Sequence, residues 1–194
     1  MPRFVSLAPQ EAPARRATPG GTPPPSPPEG PRPFPLGVRL DAPADYDEIF
    51  RVVRGAVRHV LGIERTGLGL GLSNLPPSLG AYWPVTGNLI VLNEGLVQAM
   101  RANATSAREY NSFVFVILAH EYLHALGYLD EAAVRRVTAS VAREALGPDH
   151  PASRMASGDL WRMYPFLQYA PRGDGRRLRV IGNFDSSSTQ QYIR

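Results

Sequence analysis

Seven consecutive apolar residues, Phe113 to Ala119, run directly into His120-Glu121-Tyr122-Leu123-His124, and this junction constrains the chain more than any other feature. Ser106, three positions before Glu109, makes an S-x-x-E capping box that starts a helix, and Gly127 supplies its stop. A helix that is apolar around its whole circumference has to be covered by protein on every side. The run is too short for a membrane: eleven residues separate Glu109 from Glu121, whereas a span needs about 20. It is expected to form the central helix of a folded core, with the polar residues at its end held at a buried edge.

The flanking sequence supplies the cover. Asp45, three before Glu48, caps a helix whose apolar positions Ile49, Phe50, Val53, Val57, Val60 and Leu61 recur at helical spacing up to Gly62. Residues 66–73, TGLGLGLS, alternate glycine with Leu68, Leu70 and Leu72, as a strand with one apolar and one bare face. They do not fit the G-x-G-x-x-G phosphate loop. AYWPVTGNLIVLN (81–93) reads as two short strands around Thr86-Gly87, with Pro84 marking the first as an edge or interrupted strand. EGLVQAMRAN reads as a short helix. DEAAVRRVTASVAREALG reads as an amphipathic one through Val134, Val137, Val141 and Ala145. GPDHPASRMASGD is expected as a loop, LWRMYPFLQ as a short helical piece, and 177–184 as a last strand. The fold class expected is α+β, a small mixed sheet around one buried helix. It occupies residues 39–194. Residues 1–38 hold twelve of the twenty prolines and are expected as a disordered, polyproline-like tail.

Composition removes several classes of chemistry. The chain has no cysteine, which excludes disulfides, thiolate metal sites and cysteine nucleophiles. The net charge is +4, carried entirely by arginine on the basic side, and the arginines are scattered except for Arg172, Arg176, Arg177 and Arg179 in residues 171–180. A solvated hairpin accounts for that cluster better than nucleic-acid binding. The N-terminus lacks an apolar stretch of signal-peptide length, so the expected compartment is the cytoplasm, with no membrane partner.

The H-E-x-x-H pattern carries the chemistry. Histidines four apart lie on one helix face, so both imidazoles can reach one cation. A buried imidazole needs a partner, and zinc provides one through ring nitrogen. Glu121 stands close enough to handle a proton of a metal-activated water without binding the metal itself. With four His and nine Glu in the chain, a shuffled sequence would contain the pattern on the order of 0.004 times, which argues against accident. A catalytic zinc usually has three protein ligands. Asp130 follows the Gly127 bend, Glu144 lies on the next helix, and His150 precedes Pro151. All three stay open as the third ligand. Asp130 also suits an N-cap.

HEYLHALGYLD resembles the H-E-x-x-H-x-x-G-x-x-H/D signature of metzincin-type zinc metalloproteases, and its aspartate version is similar to the snapalysins. The matching positions are His120, Glu121, His124, Gly127 and Asp130. The resemblance implies zinc held by His120, His124 and Asp130, Glu121 as general base, and a methionine beneath the metal, with Met155 or Met163 as candidates. It also implies an edge strand that pairs with an extended peptide or protein substrate, matched by Asn88–Asn93. The helix directly after Asp130 is similar to that of the ribosomal-RNA maturation endoribonucleases, and the spacing to Glu144 resembles thermolysin-like enzymes.

The expected function is therefore a zinc-dependent peptidase, with Tyr164 or Tyr128 as candidate oxyanion donors. A metal-dependent ribonuclease or nucleic-acid-binding protein using the arginines of 171–180 is the alternative from a second class. A non-catalytic, metal-stabilised interaction module that recruits partners through its proline-rich tail is a third.

Overall fold

A computed structural model of the chain describes residues 36–85, 87–173, 177–182, 184 and 185. The expected proline-rich tail lies almost wholly outside these residues. From Leu36 onward the chain is a mixed α+β domain of the expected class, with six α-helices and a four-stranded sheet among the described residues.

Local chemistry accounts for most element boundaries. Helix α1 spans Tyr46–Leu61, and the Asp45 side chain and Glu48 cap each other's backbone N–H groups. Gly62 closes it at φ 70°, in the left-handed region that glycine tolerates without strain. Strands β1 (Gly69–Ser73), β2 (Ala81–Tyr82), β3 (Leu89–Asn93) and β4 (Leu178–Ile181) form a sheet in the order β2-β3-β1-β4. β1 and β3 are parallel, and both outer pairings are antiparallel. The bare face of β1 is covered, by side chains and not by a second backbone: a Cβ on Gly71 would stand 2.6 Å from Leu178 Cδ1.

Helix α2 (Glu94–Asn103) leads into α3 (Ala107–Ala125), which starts at Ser106 as the sequence implies. The Ser106 hydroxyl accepts from Glu109 N–H, while the Glu109 carboxylate reaches Thr105 and not the cap residue. Helices α4 (Glu131–Leu146) and α5 (Pro151–Ser157) pack against α3, as do α1 and parts of α2, β2 and β3. Every residue from Tyr110 to Ala119 is buried, Val114, Phe115 and Leu118 completely. Each large apolar side chain so buried contributes about 1.5–3 kcal/mol, and together they fix α3 at the centre. No helix among the described residues is long and apolar enough to cross a membrane.

Two expectations need correction. Residues 151–157 form α5, because His150 caps it and Pro151 occupies its first turn, a position where proline's missing N–H costs nothing. β3 is not an edge: it pairs with β1 on one side and β2 on the other. The open edge beside it is β2, so Asn88–Asn93 lacks the free row of backbone groups that an added strand would need at Val91 and Leu92. Beyond α5 lie α6 (Leu160–Met163) and a 3₁₀ turn (Pro165–Tyr169), matching the short helical piece expected there.

Candidate metal centre

The last two turns of α3 carry His120 and His124 on one face, with Nε2 atoms 3.2 Å apart. The end of that helix then sets the second imidazole. Gly127, at φ 100°, turns the chain so that Tyr128 N–H reaches the Leu123 carbonyl. This brings the Tyr128 carbonyl oxygen to 2.7 Å from His124 Nδ1. A carbonyl only accepts, so Nδ1 carries the proton and Nε2 presents a lone pair.

The third donor comes from α4. Asp130 is its N-cap, and its carboxylate accepts from Ala133 N–H at 2.7 Å. Glu131 is the first residue of the helix, and helical side chains tilt toward the N-terminus, which here faces the end of α3. Its Oε1 lies 3.1 Å from His124 Nε2 and its Oε2 3.3 Å from His120 Nε2. Ligand atoms about 2.0–2.1 Å from a tetrahedral ion stand about 3.3–3.4 Å apart. The two Nε2 atoms are therefore spaced like two corners of such a shell, each with a different Glu131 oxygen at a similar distance. His120, His124 and Glu131 form a group, among the described residues, able to share an ion, with ligand atoms within 4.8 Å of one another. Burial holds the His120 imidazole toward its neutral, ligating form, against the pull of the Glu131 carboxylate.

Glu121 lines a cleft that also reaches His120 and Glu131. Its side chain is buried, and burial first, then the charge of Glu131, pushes its carboxyl up to about 7, with the Trp83 backbone opposing the rise. A carboxyl that titrates near neutrality can both take and return a proton. The cleft has a volume of about 530 Å³ and reaches His120, Glu121 and Glu131 between the β2 segment, α4 and α5.

The structure brings together His120, Glu121 and His124 from the expected set and adds Glu131. The other candidates stand elsewhere. Glu144 accepts from the Ser140 hydroxyl on the exposed side of α4. Buried His150 caps α5 through Nδ1, which accepts from Ala152 N–H. The Tyr164 hydroxyl donates to Glu109 at the far end of α3, about 16 Å of helix rise from His120. Tyr128 serves the site through its backbone carbonyl. Met155 is buried in α5 and lines the cleft, on a helix and not in a turn, while Met163 is partly exposed. Arg179, from the arginine cluster, pairs with Glu94. The signal for Glu131 was present in the sequence as the residue after a good capping aspartate. Asp130 caps α4 through Oδ1, and the group able to share an ion contains its neighbour Glu131 instead.

Protein-family models, characterised proteins and solved structures were compared with the chain. None matches.

Proposed function

We propose that the protein is a zinc-dependent peptidase whose ion is held by His120, His124 and Glu131. The observation that carries this reading is the convergence of two imidazole Nε2 atoms and one carboxylate at 3.1–3.3 Å, beside a buried acid in an open cleft. Nitrogen and oxygen donors in this number suit zinc. Zinc, when bound, supplies a Lewis acid that polarises a carbonyl and brings the pKa of water toward 7.

The chain's own residues do the rest. Glu121 takes the proton of the attacking water and passes it to the amine nitrogen that leaves, an exchange suited to a carboxyl held near neutrality. The Tyr128 carbonyl keeps His124 in its ligating tautomer and orientation. An extended substrate would pair with the free edge of β2, since Leu79, Gly80 and Ala81 line the cleft.

Incubation of the zinc-loaded full chain with casein or a peptide library, beside Glu121→Gln, tests the proposal. Hydrolysis that disappears with chelation and falls by at least about 100-fold in the variant is the expected result. Equal hydrolysis by both proteins would overturn it.

A further inference from the structure

Among the described residues lining the cleft, Arg135 is the one lysine or arginine. It lies four residues after Glu131 on α4, one turn along the same face. Its obvious partner is engaged elsewhere, because both oxygens of Glu131 face the imidazoles. Among the described residues no hydrogen bond or ion pair ties the Arg135 guanidinium, whereas Arg54, Arg65, Arg101 and Arg179 are each held by acceptors. Its charge is felt at the His120 ring. Arg135 is itself exposed, and the cleft it borders is also lined by Val116, Ile117, Met155, Leu160 and Trp161.

Resting on the peptidase reading, we propose that Arg135 is a specificity-determining residue that binds a carboxylate of the substrate, next to an apolar side chain seated in the cleft. An arginine fork matches a carboxylate in two parallel hydrogen bonds. Geometry limits where that carboxylate can sit. One turn of α4 separates Arg135 from Glu131, about 6 Å of rise, and an extended peptide advances about 3.3 Å per residue. The recognised carboxylate therefore falls within about two residues of the bond that is cut. It is either the C-terminus of a short peptide or an acidic side chain at that distance.

Titration calorimetry on the full-length Glu121→Gln protein, which does not turn over substrate, separates these sources. The probes are acetylated dileucine, its C-terminal amide, and the same amide carrying aspartate in second place, each with zinc and after chelation. At least one carboxylate probe should bind about tenfold or more tightly than the uncharged amide, with and without zinc. Adding Arg135→Gln should abolish that preference while leaving zinc stoichiometry unchanged. The free acid being preferred assigns a C-terminal carboxylate, and the aspartate amide being preferred assigns a side chain. Equal binding of all three probes, or a preference that survives Arg135→Gln, overturns the proposal. The preference persisting in a chain whose wild type cuts no peptide would remove the peptidase reading and leave the carboxylate site standing.

Discussion

His124 Nδ1 lies 2.7 Å from the carbonyl oxygen of Tyr128, four residues ahead in the chain. The contact depends on the left-handed turn at Gly127, so the residue that ends α3 also orients the second imidazole. Gly127→Ala would place a side chain at φ 100°, at a cost of about 1 kcal/mol, and shift the Tyr128 carbonyl. Zinc affinity, read by competition with a chromophoric chelator, should fall about 10–100-fold.

The same titration separates the two acids that follow the turn. Glu131→Ala should weaken zinc binding by at least about 100-fold, more than loss of an outer contact would. Asp130→Ala should leave affinity within a few-fold and instead cost about 1 kcal/mol of stability, because it removes the α4 cap. The opposite pattern would make Asp130 the ligand.

Glu121 makes the metal-free fold sensitive to alkali. Its folded pKa of about 7 lies above the ordinary carboxylate value, so the fold favours the protonated form. Stability from this group is full below about pH 4.5 and lost as the pH rises through 7. Glu121→Gln should therefore stabilise the metal-free protein by about 3 kcal/mol at about pH 8 and leave it almost unchanged at about pH 4. Denaturant unfolding at the two pH values checks this.

His150 acts in the opposite direction. Burial is the main cause that brings its pKa down to about 4, assisted by the Arg108 charge and opposed by Asp41 and the Gly37 backbone. The neutral ring is the folded form, and its Nε2 is buried. Its contribution is intact above about pH 6.5 and is lost by about 1.4 kcal/mol per unit as the pH falls toward 4. His150→Asn keeps a capping side chain and should flatten that part of the acid-unfolding curve.

Tyr122 tests the attachment of α3 to the segment before β1. Its hydroxyl accepts from Arg65 N–H at 2.6 Å and donates to the Arg65 carbonyl at 2.9 Å. The ring is fully buried against Phe50. Tyr122→Phe would leave both backbone groups unpaired, and a loss of about 1–3 kcal/mol is expected in thermal unfolding.

Much of this arrangement is legible in the chain itself. Asp45, Ser106 and Gly62 are local signals, and each sets its helix end because capping depends on groups within four residues. The all-apolar run before His120 announces burial for the same kind of reason, since no solvent-facing side of such a helix exists. Histidines four apart share a face by the geometry of one helix, so two of the three candidate donors could be read without a fold.

What depends on contacts between elements could not be read this way. Asn88–Asn93 looks like an edge because strand order is invisible to periodicity, and only pairing with both β1 and β2 makes it interior. Asp130 and Glu131 are adjacent acids, and which of them reaches the imidazoles is decided by how α4 docks against α3. That docking turns one carboxylate to its own backbone and the other across the gap. The sequence alone determined the helix that bears the two imidazoles and Glu121, because those are short-range properties. Tertiary structure decided the approach of Glu131 to the imidazoles, the strand edge left open among the described residues, and the cleft with an arginine that no described residue pairs, because each requires residues from separate elements to meet.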